Sequence, residues 1–241
     1  RRQRRLAQAA PQMSAAADSR AAILGRLKTA LRRDARPPEA ARARLETPPE
    51  NLVPKRGIDA ADKIAQFTQE AERVEATVQR VASLAALPAA VAQYLAGRNL
   101  PTGLRVASSL AGAGWETQPL LDVSAGPAAG TDAVGVSRAF GGVAETGTLV
   151  FLSGPDNPTT LNFLPPTHIA VVRAEDIAGS YEEVWARVRA LTPPPGPGKT
   201  QLPRTVNWIT GPSRTADIEQ TLLLGAHGPQ NLHIVVVDDG S

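Results

Sequence analysis

Short apolar runs rich in valine, leucine and isoleucine recur from Leu104 to the end of the chain, with helical patterns between them. The runs lie at Leu104–Ser108, Leu120–Val123, Val134–Val136, Thr148–Leu152, His168–Val172, Val206–Thr210 and His233–Val237. Each is too short for a helix and is bounded by glycine, proline or polar residues, so each reads as a strand. Helices are expected at Ala174–Ala190, where Ile177, Tyr181, Val184, Trp185 and Val188 share a face, and at Ser213–Leu224. Strands that are apolar on both sides and alternate with helices belong to a largely parallel sheet covered on both faces. The expected fold class is α/β: three layers, with helices on both faces of one largely parallel sheet.

Upstream, Asp59 and Asp62 precede a helical pattern of Ile64, Phe67, Ala71 and Val74, and Glu75–Ala82 reads as a strand. Ser83 is then expected to cap a helix carrying Leu84, Leu87, Val91, Tyr94 and Leu95 and ending at Gly97. Further towards the start, Asp18–Arg33 forms an amphipathic stretch with Ile23, Leu24, Leu27, Ala30 and Leu31 on one stripe, and Asp18 or Ser19 as its cap. Pro37-Pro38, Pro48-Pro49 and Pro54 follow as a linker. The expected organisation is a basic arm with one short helix over 1–56, then an α/β domain over 57–241.

Charge divides at the same place. Residues 1–56 carry 14 Lys/Arg and 5 Asp/Glu, whereas residues 57–241 carry 12 and 18. The arm Arg1-Arg2-Gln3-Arg4-Arg5 has no aromatic residue on which a base could stack, so nucleic acid is not the expected partner. Met13, followed by Ser14 and a run of alanines, reads as a natural start, which would leave residues 1–12 outside the natural protein. No apolar h-region follows the arginines, and the most apolar stretch, Val81 to Gly97, is broken by Ser83, Pro88 and Gln93. A cytoplasmic protein without a membrane span is expected. The 241 residues contain no cysteine, which excludes a thiol nucleophile and a cysteine-held zinc or iron–sulfur site on them.

Three segments carry residue types that are costly to pack and useful for binding. In Gly135–Thr148, paired glycines permit close backbone approach, and Glu145 stands among small residues. Glu145 reads either as a base or nucleophile or as a carboxylate holding the N–H groups of a tight turn. In Thr210–Glu219, a Gly211-Pro212 turn and the hydroxyl-rich Ser213-Arg214-Thr215 precede the expected helix. A helix start of that kind holds an anion through its free N–H groups, or is simply capped by Ser213 or Thr215. In Gly225-Ala226-His227-Gly228-Pro229, His227 reads, like His168, as lining a cleft or satisfying loop backbone, and His233 as starting a strand. No HExxH pattern, Gly-x-Ser-x-Gly elbow or phosphate-cradling loop ending in Gly-Lys-Ser/Thr is formed, and no metal site is expected.

In this order the segments resemble the LUD domain family, and within it the lactate-utilization protein C type. The resemblance rests on Gly135-Val136-Ser137, Ala144–Thr148, Leu164–His168, Thr210–Glu219 and Gly225–Pro229, and covers roughly residues 57–241. It implies a fold similar to the ribose-phosphate isomerase, glucosamine-phosphate deaminase and CoA-transferase group. It also implies an accessory role in oxidising L-lactate to pyruvate, beside partner proteins that carry the iron–sulfur clusters, with no cofactor on this chain. The ligand would be a small carboxylate or a phosphate-bearing anion.

In that reading Gly135, Ser137, Thr146, Gly147, Thr148, His168, Thr210, Gly211, Ser213, Arg214, Thr215 and Gly228 line the anion cleft, with Glu145 and His227 as catalytic candidates. The alternative is a stand-alone isomerase or transferase acting on a phosphorylated or CoA-linked metabolite. It draws on a fold-level likeness of Glu145-Thr146-Gly147 to the glutamate–glycine site of CoA transferases. Whether the chain is itself an enzyme stays open between these readings.

Overall fold

The computed structural model describes residues 13–30, 39, 43, 52–191, 202–216, 222–224 and 227–238. By internal contacts the chain divides into a unit ending at Leu52 and a second beginning at Val53. In the first unit, helix α1 (Met13–Ala30) begins earlier than expected and runs through Asp18 instead of being capped by it. Its stripe residues Ile23, Leu24 and Leu27 are all exposed.

The second unit opens with α2 (Lys63–Arg73), where the Asp62 carboxylate accepts from the N–H groups of Ile64 and Ala65, both at 3.0 Å. Strand β1 (Thr77–Val81) follows. The expected helix after Ser83 divides into a 3₁₀ turn at Leu84–Ala86 and α3 (Leu87–Gly97). Ser83 makes no side-chain cap bond, and Pro88 falls in the first turn of α3, where a missing N–H costs nothing. Next come β2 (Gly103–Val106), β3 (Asp122–Ala125), β4 (Val134–Arg138), β5 (Gly141–Val143) and β6 (Thr148–Leu152). They are followed by the single turn α4 (Thr160–Phe163), β7 (Thr167–Arg173) and β8 (Ile177–Ala178). Helix α5 (Tyr181–Ala190), β9 (Val206–Ile209), β10 (Arg214–Ala216), β11 (Leu222–Leu224) and β12 (Asn231–Val237) complete the described chain.

Six strands form one sheet in the order β1-β12-β7-β4-β2-β3, with every neighbouring pair parallel. Alternation sends Leu104, Val106, Val134, Val136, Ile169, Val171, Val235 and Val237 to one face, where they pack with Leu87, Val91 and Leu95 of α3. Ala170, Val172, Leu232, Ile234 and Val236 point the other way, onto Phe67 and Ala71 of α2 and onto Leu149 and Phe151. The fold is therefore α/β with a parallel sheet flanked by helices. The second face, however, is covered as much by a smaller sheet as by a helix. That smaller sheet runs β8-β5-β6-β9, and its outer side packs Val143 and Val150 on Val184 of α5.

Two helix expectations are corrected here. Ala174–Ala190 is not one helix: Ile177–Ala178 pairs with β5, and Ser180 caps α5 by accepting from the Glu183 N–H. Gly179, which packs against Gly57 and Ile58 with no room for a Cβ, lies between them. Ser213–Leu224 is not a helix either. Arg214, Thr215 and Ala216 pair antiparallel with Leu224, Leu223 and Leu222, so their backbone groups find partners across a ladder instead of along a helix. Residues 217–221 lie outside the described residues.

Candidate functional site

In an open parallel sheet, ligands bind outside the carboxyl ends of the strands, where the chain reverses its direction of travel across the sheet. Here that point falls between β2 and β4, because the chain moves outward from β2 to β3 and then returns to lay β4 on the other side of β2. A cavity of about 380 Å³ lies there, lined by Ser109, Arg138, Phe140, Asn157, Arg173 and Asp176, among others. Arg138 and Arg173 are the last residues of β4 and β7, so adjacent parallel strands deliver two guanidinium groups to one opening.

The backbone around Arg138 is held by a side chain acting in place of a strand. Asn157 Oδ1 accepts from the Arg138 N–H at 3.2 Å, and Asn157 Nδ2 donates to the Arg138 carbonyl at 2.9 Å. The Arg138 guanidinium makes no hydrogen bond or ion pair with any described residue. Arg173 Nη1 donates to Glu175 Oε1 at 2.7 Å. Asp176 is half-buried, and Arg187 bonds its carbonyl rather than its carboxylate. Desolvation raises the Asp176 pKa above its ordinary value, and Glu175 adds to this, while Arg138, Arg173 and Arg187 oppose it.

The residues expected to form the site fall into three separate groups. In the first, Ser137, His168 and Asn162 form a buried network, and none of the three lines the cavity. Ser137 Oγ donates to Asn162 Oδ1 at 2.8 Å, so it accepts from His168 Nε2 at 2.8 Å, and His168 is the Nε2–H tautomer with Nδ1 unpartnered. Burial holds the His168 pKa down to about 3, which makes the ring neutral and a structural donor. Gly135, opposite His168 in register, has no room for a Cβ because the Leu161 carbonyl and Pro165 pack against it.

The second group surrounds the smaller sheet. Thr148 Oγ1 lies 2.7 Å from Thr146 Oγ1, 2.8 Å from the Tyr181 hydroxyl and 2.7 Å from Thr210 Oγ1, forming a half-buried hydroxyl cluster. Gly147 has φ +65°, and a Cβ there would stand 2.3 Å from the Ala71 nitrogen. Paired Gly141 and Gly142 lie within β5, pressed on the Asp176 carbonyl and the Phe67 ring. The glycines thus serve close packing of the two sheets and α2, and the expected loop is largely strand. Glu145 donates its N–H to the Gly179 carbonyl at 3.2 Å, while its side chain makes no hydrogen bond or ion pair with a described residue.

The third group lies at the start of the hairpin. Arg214 is paired with Glu75 at 2.8 Å and donates to the Val74 carbonyl at 3.0 Å, while Gly211, at φ +73°, packs on Val74. The Ser213 N–H is bonded to the Pro229 carbonyl at 2.8 Å, and Ser213 Oγ accepts from the His227 N–H at 3.4 Å, beside Gly228. With β10 in place of a helix start, the free N–H groups and the dipole expected to hold an anion are not there. Thr215 contributes a ladder position opposite Leu223. Sequence reasoning missed Arg138, Asn157, Arg173 and Asp176. The available signal was an arginine closing each of two apolar strands, Arg138 in β4 and Arg173 in β7.

Residues 128–237 match the LUD domain family. The chain is 35% identical over 123 residues to an uncharacterized protein of Neisseria meningitidis serogroup B, a match covering 51% of this chain and 46% of that protein. It is 33% identical over 106 residues to lactate utilization protein C of Shouchella clausii, covering 44% of each. For lactate utilization protein C of a Geobacillus species the identity is 36% over 107 residues, covering 44% of this chain and 42% of that one. The chain spans less than half the length of these curated relatives. A DUF162 family protein from Deinococcus radiodurans, known from its crystal structure, superposes with a TM-score of 0.51 at 24% identity, covering 73% of this chain and 97% of that one, and so shares the fold. The stretch that matches the LUD domain family, residues 128–237, includes both cavity arginines.

Proposed function

We propose that this chain acts in lactate utilization, as a cytoplasmic accessory subunit of an assembly that oxidises L-lactate to pyruvate. The observation that carries the reading is the similarity of its LUD segment to lactate utilization protein C from several bacteria. In this role the chain binds a small anionic ligand and the redox work is done elsewhere. Converting lactate to pyruvate releases two electrons and two protons. Iron–sulfur clusters taking those electrons would need thiolates from outside these 241 residues, which supply none, and the reading assigns them to partner subunits.

The isomerase or transferase reading depends on Glu145, and Glu145 is not among the residues lining the switch-point cavity. The test is genetic and biochemical together. Deleting the gene in its host should abolish growth on L-lactate but not on pyruvate, the full chain should restore it, and the tagged chain should co-purify with iron–sulfur proteins. Normal growth of the deletion strain on L-lactate as sole carbon source would overturn the reading.

A further inference from the structure

We infer that the cavity between β2 and β4 is the ligand site of this domain, and that it selects a small carboxylate bearing an adjacent hydroxyl: Arg138 receives the carboxylate and Asp176 accepts from the hydroxyl. The inference deepens the lactate-utilization reading and rests on it for the choice of acid. The site itself rests on four features of the fold.

The first is position, since the cavity stands where the sheet reverses its winding. The second is an uncommitted cation on a fixed backbone. Arg138 is clamped at both its N–H and its carbonyl by Asn157, and its half-buried guanidinium has no hydrogen-bonding partner among the described residues. A guanidinium in that position offers a planar fork to a carboxylate. The third is a second cation: Arg173 gives one N–H to Glu175 and keeps others for the opening.

The fourth is the acceptor. Asp176 lines the same cavity and feels the charge of Arg138 and Arg173, yet it forms no ion pair within 4 Å with either. A ligand with a negative group on one side and a donor on the other fits between Arg138 and Asp176. A 2-hydroxycarboxylate has that pattern. A 2-ketocarboxylate turns a carbonyl oxygen towards the Asp176 carboxylate instead, and a phosphate dianion brings a larger like charge towards it.

The experiment is isothermal titration of the full chain with L-lactate, pyruvate and inorganic phosphate, repeated on Arg138→Ala, Arg138→Lys and Asp176→Ala. L-lactate should bind roughly tenfold or more tightly than pyruvate, the size of one hydrogen bond to a charged group. Arg138→Ala should weaken lactate at least about tenfold, with Arg138→Lys between it and the parent. Asp176→Ala should level the two acids by weakening lactate and strengthening pyruvate, because it removes both the acceptor and the like charge. Lactate binding indifferent to Arg138→Ala would overturn the site, and so would no heat from any of the three anions at millimolar concentration. A parent protein that prefers pyruvate or phosphate would overturn the role of Asp176. If Arg138→Ala does not fold, the Lys and Asp176 variants decide. Growth on L-lactate reports separately on the lactate-utilization reading, so either can fail while the other stands.

Discussion

His168 and His233 are both buried in the neutral form, for related reasons. His168 donates to Ser137 inside a buried network, and desolvation takes its pKa down to about 3. His233 places Nδ1 2.9 Å from Thr77 Oγ1 and stacks on Tyr94 with ring centroids 3.9 Å apart. Desolvation first, and then the charge of Arg98, lower its pKa to about 4. In the unfolded chain both titrate near 6.5, so below that pH the unfolded state binds protons that the folded state refuses. Their contribution to stability is complete above pH 6.5 and is lost as pH falls towards 4. The expected slope is roughly 1.4 kcal/mol per pH unit for each histidine. Urea unfolding between pH 7.5 and 4.5 should show it, and His233→Gln should flatten it; an unchanged slope in that variant would remove His233 from the account. In the sequence His168 starts one expected strand and Ser137 follows another, and both read as cleft residues; the structure buries them instead. That they meet each other, and that the pair is sealed, depends on the β4–β7 register, in which Ser137 stands opposite Ala170.

At the scale of elements, what could be read was whatever depends on neighbours along the chain. Helix α2 was legible because Asp62 supplies a local cap and Phe67 and Ala71 repeat at helical spacing. Its cap is testable: Asp62→Ala should cost about 1 kcal/mol in urea unfolding, and Asp62→Asn much less, since the amide oxygen still accepts from the same N–H groups. Equal losses in the two variants would mean that the carboxylate acts otherwise. Strand β6 was legible to the residue, as an apolar run between a glycine turn and a polar stop. The hairpin of β10 and β11 was not. Its hydroxyl-rich opening and leucine run satisfy a helical template equally well, and the choice is made by the backbone partners that Leu222–Leu224 offers to Arg214–Ala216. Losing that helix also removes the reason to place an anion at Arg214, whose charge is already answered by Glu75.

Across the whole molecule, every buried apolar residue among the described ones is Phe67 or later in the chain. A protein beginning at Val53 should therefore show a cooperative transition of its own. A thermal melt of it checks this, and a gradual melt without a transition would show that these residues do not fold as a unit. No described helix is long and apolar enough to cross a membrane. The sequence by itself determined the fold class, because burial on two faces forces apolar strands, and helical periodicity between them follows from the same local rules. It also determined that no thiolate chemistry occurs on these residues, since that is a matter of composition. Only the tertiary structure decided where the charges gather. Arg138, Asn157, Arg173 and Asp176 are unremarkable where they stand in the chain. They become a site because β4 and β7 lie side by side and close on Arg138 and Arg173, next to the point where the chain reverses between β2 and β4.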